Sequence, residues 1–364
     1  MPQYLPPARV VRVLERARHH LDRLHSRTMP ASVALMEMVM NAWVAQAITA
    51  AAQLGIADAL AAGPLTADQL AAAVDADAAA VGRLMRALIS RGIFRQCRDG
   101  RYALTALAQP LCTDAEISLN GWIRYAGSSE LRARWSDLSD GIRAGHCVAE
   151  EMRGRHLFDY LAANPELHEV FNEAMTGVSE TSIAPLLAAY DFSRYPVIAD
   201  VGGGHGRFLA AILSAAPATR GVLFDLPDVV AGAPGELTEH GVAERVRIVE
   251  GSFFDDPIPG DCDAYVVKNV LHDWPDADAL RILSNVRAAM PAGRHLLLIE
   301  LLIPPHNRES PGKWLDLDMF VSTGTRLRTV AEYESMLVRS GFRLRRVVET
   351  VSPFSVLEAE AEAV

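Results

Sequence analysis

The chain has 364 residues, of which 50% are hydrophobic, and a formal net charge of −10 at pH 7. This length accommodates two domains, and the apolar content is sufficient for large hydrophobic cores. The negative charge argues against nucleic acid as the main partner, because phosphate binding requires a concentrated positive field. We find neither a membrane-spanning apolar run nor a secretory signal, so we expect a cytoplasmic protein without a membrane partner.

Residues 9–27 are predicted to form an amphipathic helix. Their apolar residues recur at helical spacing, and arginines lie between them. A packing or dimerisation helix with a solvated basic face is the favoured interpretation, and a site for an anionic ligand is the alternative.

Residues 33–113 are predicted to form a small helical domain that ends in a β-hairpin. Thr66 and Gln69 form the signature of a capping box at a helix start. A second helix is expected over 77–91, and Asp99-Gly100 marks a tight turn between two short strands. Helices and hairpin together suggest a winged helix. Its second helix is too apolar to read DNA convincingly, so dimerisation or a lid fits better.

Residues 118–189 have a helical pattern throughout, and from residue 196 strands and helices alternate. Strands are predicted at 197–201, 221–226, 246–251, 264–271, 295–302, 344–351 and 354–358. Helices are predicted at 207–216, 229–240, 276–290 and 330–340. Repeated strand–helix units of this length predict an α/β fold with a parallel, doubly wound sheet.

The first of these strands runs into a glycine-rich loop, Asp200-Val-Gly202-Gly203-Gly204-His205-Gly206. Glycine lets the backbone approach a ligand closely at the carboxyl end of a sheet. A dinucleotide fingerprint would need glycine at the position of Arg207. The pattern is therefore acid-x-Gly-x-Gly-x-Gly, which resembles the loop that holds the methionine part of S-adenosylmethionine in class I methyltransferases. An ordinary strand–helix turn is the alternative.

The next two strand ends offer further parts of a nucleoside site. Asp225 ends the second strand, where an acidic side chain can accept hydrogen bonds from both ribose hydroxyls. Phe253 follows the third strand, where an adenine could stack on its ring. Three successive strand ends with complementary chemistry make an accidental arrangement the weaker explanation.

The fourth and fifth strands provide an acid–base pair. His272 lies in the loop after the fourth strand, and Pro275 suits the first position of the helix that follows. Glu300 lies in an otherwise apolar strand, which is costly unless the carboxylate has a partner. We therefore predict that Glu300 pairs with His272 on the adjacent strand. A structural histidine and a surface glutamate are the alternatives.

These motifs resemble the plant caffeate-type and bacterial natural-product O-methyltransferases, which join a winged-helix dimerisation domain to a class I methyltransferase domain. The resemblance extends from about residue 42 to 353, and His-Asp-Trp at 272–274 is its most specific element. It implies a Rossmann-like methyltransferase sheet, a homodimer, S-adenosylmethionine as cofactor with S-adenosylhomocysteine as product, and no metal. We divide the chain into a dimerisation domain (1–115), a helical linker lining the acceptor pocket (116–190) and a methyltransferase domain (191–364).

The resemblance also implies the roles of individual residues. His272 is the general base, and the catalytic residues are His272, Asp273 and Glu300. Ser179 contacts the methionine carboxylate, and the full set of cofactor residues is Ser179, Asp200, Gly202, Gly204, Asp225, Leu226, Ser252, Phe253, Lys268 and Trp274. The acceptor pocket is lined by Phe171, Met175, Met319, Phe320 and Thr323. The widely spaced cysteines contain no CxxC pair, so no zinc site is indicated.

The chain departs from the family pattern at two positions. Ser252 stands where the family commonly has an aspartate that holds the adenine. Leu327 stands where the family has a second acid beside the base, in Gly-x-Glu-Arg-Thr. Either Glu300 alone orients His272, or the activity is altered.

We therefore expect methyl transfer from S-adenosylmethionine to a hydroxyl of a small aromatic molecule that is polyketide-, quinone- or phenol-like. One alternative is a homologue that binds the cofactor but assists hydroxylation or decarboxylation instead. Another is a winged-helix regulator with a ligand-sensing domain.

Overall fold

The computed structural model describes residues 8–148, 160–161 and 163–363, apart from the side chains of residues 8 and 9. The described residues form two compact units. We call the first the sheet unit, which contains the described residues up to Glu15, Gly145–Cys147 and those from Ser182 onward. We call the second the helical unit, which contains Arg16–Ala144 and the described residues between Val148 and Thr181.

The helical unit contains short helices and one hairpin. Its elements are α2 (Ala31–Gln53), α3 (Ile56–Ala61), α4 (Ala67–Ala73), α5 (Ala78–Ser90), β1 (Phe94–Gln96), β2 (Tyr102–Leu104), α6 (Asn120–Ala126), α7 (Ser129–Ser136) and α8 (Leu138–Ala144). Two further helices, α1 (Ala8–Arg27) and α9 (Pro165–Ala189), each contribute residues to both units. Of the predicted helical linker, residues 149–159 and 162 lie outside the described part of the chain.

Local side-chain bonds explain where the helices of this unit begin. Thr66 and Gln69 form the predicted capping box, in which the Gln69 N–H donates to Thr66 Oγ1 (3.2 Å) and the Thr66 N–H to Gln69 Oε1 (3.0 Å). Asp77 accepts a hydrogen bond from the N–H of Ala80 (2.8 Å) at the start of α5. The first helix was predicted from its capping box, and the second was predicted over 77–91 without the cap at Asp77; in both, the N-cap side chain satisfies an otherwise unpaired N–H.

Helix α2 leaves large apolar side chains exposed, among them Met36 (57%), Val39 (67%) and Trp43 (69%). By length and composition it is the one helix of the described chain that could cross a membrane, contrary to our expectation that no segment could. Core helices of soluble proteins and signal sequences pass the same test, so this is weak evidence for a membrane span. Helix α1 likewise exposes its apolar side chains.

The sheet unit is built on seven strands in the order β5-β4-β3-β6-β7-β9-β8. The strands are β3 (Val197–Val201), β4 (Arg220–Asp225), β5 (Val246–Glu250), β6 (Ala264–Lys268), β7 (His295–Leu301), β8 (Phe342–Glu349) and β9 (Phe354–Ala361). The first five are parallel, as predicted. The prediction of a parallel sheet is wrong for the last two strands, because β9 pairs antiparallel with both β7 and β8. The connection from β8 to β9 is a short turn, which can join only antiparallel strands.

Helices cover both faces of this sheet. They are α10 (Arg207–Ala215), α11 (Pro227–Val230), α12 (Ala233–Glu239), α13 (Asp276–Ala289), α14 (Pro311–Ser322) and α15 (Val330–Arg339). Two hydrophobic clusters result, one around Tyr265 and Leu283 and the other around Leu209 and Leu297. The central strands β6 and β7 are mostly apolar on both faces, as expected where helices bury both faces of a sheet.

Three differences between the predicted and the observed elements have a local explanation. The predicted helix 229–240 is two helices, because Pro234 lies in the first turn of α12 and cannot continue a preceding helix. Helix α14 was not predicted, although Ser310 caps it and Pro311 begins it. Strand β6 ends at Lys268 instead of residue 271, because Asn269 adopts a left-handed conformation (φ 56°).

Arg245 satisfies the carbonyl oxygens at the end of α10. Its guanidinium donates hydrogen bonds to backbone oxygens at distances from 2.9 to 3.3 Å, on Leu213, Ala216, Pro217 and Thr219. The last carbonyl oxygens of a helix have no donor within the helix, so the guanidinium of Arg245 supplies the missing donors.

We predict that Arg245→Met lowers the free energy of unfolding by about 1.5–3 kcal/mol, since several charge-assisted hydrogen bonds are lost. The matched control is Arg247→Met, whose guanidinium is exposed and lies 4.0 Å from Asp261. We expect the control to change stability by less than about 0.5 kcal/mol. Urea unfolding followed by circular dichroism measures both, and equal transition midpoints would contradict the assignment.

Candidate active site

The glycine loop at the end of β3 requires glycine for two reasons. Gly202, Gly204 and Gly206 have positive φ angles of 71°, 62° and 81°. In addition, a Cβ on Gly202 would come within 2.9 Å of Val270 Cγ2, and one on Gly203 within 2.8 Å of an Asp200 carboxylate oxygen. The loop therefore brings bare backbone to the carboxyl edge of the sheet.

The carboxylate of Asp225 is fixed beside this loop. Its Oδ2 accepts the N–H of Gly204 at 2.8 Å, and its Oδ1 accepts the N–H of Leu226 at 2.7 Å. A carboxylate oxygen can accept more than one hydrogen bond, so both oxygens of Asp225 can also accept from the hydroxyls of a ribose. Leu226 itself is 49% exposed at the start of α11.

Asp200 is a buried acid at the base of the loop. It is 2% exposed, and its Oδ2 has no hydrogen-bond partner among the described residues. Burial raises the pKa of Asp200 to about 7, with Lys268 opposing the rise and Asp225 adding to it. Buried polar atoms are normally paired, so this acceptor fits a hydrogen-bond donor from a bound molecule, such as an ammonium group.

An aromatic wall adjoins the loop. The rings of Phe253, Phe254 and Trp274 pack edge to face, with centroids 4.7–6.0 Å apart. Phe253 is the member next to Gly202, since a Cβ on that glycine would lie 3.6 Å from its ring. Ser252 holds the turn in place, because its Oγ accepts the N–H of Phe254 at 3.1 Å. A flat apolar surface therefore lies next to the polar groups of the loop.

His272 and Glu300 meet at the ends of β6 and β7, which confirms the predicted pairing. The Nδ1–H of His272 donates to Glu300 Oε2 at 2.7 Å, and Glu300 Oε1 accepts the N–H of Leu271 at 3.0 Å. Glu300 is fully buried and His272 is 8% exposed. The other ring nitrogen, Nε2, lies 3.5 Å from Asp273 Oδ1. Glu300 thereby sets both the orientation and the tautomer of the imidazole.

The surrounding charges favour the protonated ring. Burial alone lowers the pKa of His272, but the carboxylates of Asp273 and Glu300 and the hydrogen bond to Glu300 outweigh it and raise the pKa to about 9. Arg328 opposes this rise.

Leu327, which stands where the family has a second acid, has apolar surroundings. Leu327 is 3% exposed and belongs to the same hydrophobic cluster as Leu301. Its N–H donates to Asp316 Oδ1 at 2.8 Å. The carboxylates that act on His272 in the described chain are therefore Glu300 and Asp273.

The sequence reasoning did not assign a role to Arg328. This side chain is fully buried and donates to backbone oxygens on either side of His272. The signal in the sequence was the match of Arg328 to the arginine of the family's Gly-x-Glu-Arg-Thr, and a sequence does not show what such a residue contacts.

The predicted acceptor and methionine residues divide between the two units. In the sheet unit, Met319 is 8% exposed on α14, and Thr323 Oγ1 donates to its carbonyl oxygen at 3.0 Å. Phe320 lies beside Met319, and Lys268 ends β6 with its Nζ 5.6 Å from the Phe208 ring. The residues predicted on α9 are Phe171, Met175 and Ser179, and they belong to the helical unit.

The described residues contain no group of three His, Cys, Asp or Glu side chains that could hold a metal ion. The four cysteines are free thiols. The candidate site at the sheet edge consists of the glycine loop, Asp200 and Asp225, the aromatic wall and the His272–Glu300 pair.

Family models match most of the chain. An O-methyltransferase dimerisation domain matches residues 27–114, and an O-methyltransferase domain matches residues 135–343. Phenazine O-methyltransferase PhzM of Lysobacter antibioticus is 39% identical over 330 residues, which cover 91% of this chain and 96% of that protein. The 8-amino-8-demethylriboflavin N,N-dimethyltransferase of Streptomyces davaonensis is 35% identical over 326 residues, or 88% and 92% of the two chains.

Solved structures show the same similarity. The S-adenosylhomocysteine-bound form of CalO1, a methyltransferase of calicheamicin biosynthesis, aligns with a TM-score of 0.83 at 34% identity, covering 92% of this chain and 98% of that one. The glycine loop, the histidine–glutamate pair and these matches lead to one assignment. The chain belongs to the family of S-adenosylmethionine-dependent O-methyltransferases whose catalytic domain follows a dimerisation domain.

Proposed function

We propose that this enzyme transfers the methyl group of S-adenosylmethionine to a hydroxyl of a small aromatic metabolite, polyketide-, quinone- or phenol-like, with His272 as the general base. The observation that carries the proposal is the His272–Glu300 pair at the sheet edge that also carries Asp225 and the glycine loop. We place the enzyme in the cytoplasm as a homodimer, which the dimerisation domain supports.

The cofactor residues of the sheet unit fit the chemistry of this nucleoside sulfonium. Asp225 is proposed to accept the ribose hydroxyls, and Phe253 to stack on the adenine. The backbone of the glycine loop would pass the methionine part, with the unpaired Oδ2 of Asp200 available to its ammonium group. Contacts from Ser179, Leu226, Ser252, Lys268 and Trp274 are proposed from the family resemblance.

The bound cofactor would supply an electrophilic methyl group. The acceptor oxygen would take this methyl group in line, and S-adenosylhomocysteine would leave. His272 Nε2 takes the hydroxyl proton, and Glu300 stabilises the imidazolium through Nδ1–H. A phenol has a pKa near 10, so removing its proton as the bond forms contributes roughly 10²–10⁴-fold in rate.

A nitrogen acceptor is the second candidate, favoured by the relative that methylates an amino group. The role in hydroxylation or decarboxylation without methylation has one supporting observation, the buried Leu327 in place of the second acid. The intact His272–Glu300 hydrogen bond weighs against that role. Family membership weighs against a DNA-binding regulator.

The proposed acceptor site includes residues of the sheet unit and of α9. Met319, Phe320 and Thr323 on or next to α14 supply a mostly apolar lining in the sheet unit. The roles of Phe171 and Met175 remain predictions from the resemblance. Apolar, flat surroundings suit aromatic acceptors in general.

The first prediction for the active site concerns cofactor binding. Asp225→Ala should weaken S-adenosylhomocysteine binding by roughly 10–100-fold, because it removes an acceptor worth about 1.5–3 kcal/mol. Isothermal titration calorimetry measures this, with Asp228→Ala, an exposed carboxylate on α11, as matched control. Equal affinities in all three proteins would remove Asp225 from the site, and no binding to the wild type would overturn the function.

The second prediction concerns the base. Because the pKa of His272 is raised to about 9, most of the imidazole carries a proton at pH 7, and the neutral base forms as the pH rises. The kcat/KM value should therefore rise with pH and level off once the ring is deprotonated. His272→Asn should lower kcat roughly 10²–10⁴-fold and abolish this limb while S-adenosylhomocysteine still binds. Ionisation of the acceptor phenol appears in both profiles and so serves as an internal reference. A limb with a pKa of about 9 that persists in the variant would belong to a group other than His272.

The third prediction separates the two partners of the pair. Glu300→Gln keeps the shape but removes the negative charge that raises the pKa of His272. The acidic limb should move to lower pH, and kcat should fall by roughly 10–100-fold as the imidazolium loses its partner. Asp273→Asn in the same assay shows how much of the shift belongs to the other carboxylate. An unchanged limb in Glu300→Gln would contradict the arrangement.

A further inference from the structure

Arg328 is a fully buried arginine that the mechanism does not use. It lies beside the end of β7, where its carbonyl oxygen accepts the N–H of Ile303 at 3.1 Å. Burying a guanidinium is costly unless its donors and its charge are matched. Its partners therefore show what the residue is for.

Those partners lie on both sides of His272. Nη1 donates to the carbonyl oxygen of Leu271 at 2.6 Å, and Nη2 donates to that of Trp274 at 2.8 Å. Nε and Nη2 also donate to Asp276 Oδ1 at 3.0 and 2.7 Å. The rigid guanidinium of Arg328 thus binds the turn at three points, from Leu271 to Asp276, the first residue of α13.

The turn is held from its other side by Glu300. Glu300 accepts the N–H of Leu271, whereas Arg328 binds the carbonyl oxygen of the same residue. The peptide groups on both sides of Leu271, immediately before His272, are therefore fixed by buried charges of opposite sign. A catalytic side chain displaced by about 1 Å can cost roughly 10²-fold in rate, so such fixation matters for the reaction.

Asp276 alone does not explain the burial of Arg328. The Asp276 side chain is 51% exposed, and Arg326 also binds it, through Asp276 Oδ2 at 2.9 Å. An exposed ion pair could satisfy this carboxylate without a buried cation. The bonds that only Arg328 makes are those to the two backbone oxygens of the His272 turn.

We propose that Arg328 is a positioning residue that locks the 271–276 turn so that His272 stays on Glu300 with Nε2 presented to the acceptor. Leu327 provides no second carboxylate beside the base. Its neighbour Arg328 holds the backbone of the turn, in addition to Glu300. The inference rests on the proposed role of His272.

The test compares two substitutions at Arg328 with a matched control. Arg328→Lys keeps the charge but loses the fork, and Arg328→Met loses both. Arg326→Met is the control, because Arg326 binds the side chains of Asp276 and Glu332 but neither of the backbone oxygens that Arg328 holds. Circular dichroism and thermal unfolding establish that each variant is folded.

We expect kcat to fall by roughly 10–100-fold in both Arg328 variants. The acceptor KM and S-adenosylhomocysteine affinity should stay within about twofold, because Arg328 is not proposed to touch either ligand. Arg328 lowers the pKa of His272, whereas Asp273 and Glu300 raise it, and the fully buried Tyr333 also faces Glu300 and Arg328. The acidic limb should therefore move to higher pH in Arg328→Met and stay in place in Arg328→Lys.

A second readout does not depend on turnover. His272 can be titrated by NMR in histidine-labelled protein with S-adenosylhomocysteine bound, its signal assigned with His272→Asn. We expect the His272 ring resonances to change in both variants and the pKa to rise only in Arg328→Met.

Three outcomes would overturn the inference. The first is a kcat for Arg328→Lys within twofold of wild type. The second is an equal fall of kcat and cofactor affinity in a less stable protein, which indicates a structural role only. The third is His272 resonances identical to wild type in both variants. A wild-type protein that binds the cofactor but methylates no acceptor would count against the proposed function. In that case the NMR titration would still decide whether Arg328 positions His272.

Discussion

The hydrogen bond between His272 and the fully buried Glu300 is the interaction on which the rest of the site depends. A carboxylate with no exposure to water needs partners for both oxygens, and it finds them in the imidazole and the N–H of Leu271. That requirement fixes the turn after β6 against the end of β7. Together with Asp273, Glu300 also raises the pKa of the imidazole above that of a free histidine, so the bond that orients the base also favours its protonation.

The parallel part of the sheet brings this pair to the nucleoside site. Strands β4, β3, β6 and β7 are neighbours, and their carboxyl ends lie at one edge. The glycine loop, Asp225 and the histidine–glutamate pair therefore share an edge although long stretches of chain separate them. This is the general position of ligands in open α/β sheets. The orphaned oxygen of Asp200 at the same edge marks where a bound cation would complete the hydrogen bonding.

The substitution at Leu327 has a local physical consequence. An apolar residue there joins the hydrophobic cluster of the sheet, so the negative charge near the base comes from Glu300 and Asp273. The neighbouring buried cation Arg328 then contacts the same turn through backbone oxygens. Two carboxylates and one guanidinium, those of Glu300, Asp273 and Arg328, thus act on one imidazole.

Features that depend on neighbouring residues in the chain were predictable from the sequence. Thr66 with Gln69 forms a capping box in any helix that begins there, and 197–201 is apolar enough to be recognised as a buried strand. The pairing of Glu300 with His272 followed from one further fact, that an isolated acid in a buried strand needs a partner on the next strand. The order of the last strands and the partners of Arg328 depend on contacts between distant segments, so only the tertiary structure decided them. The end of β6 at Lys268 was decided in the same way, because Asn269 turns the chain into the loop that Glu300 and Arg328 hold.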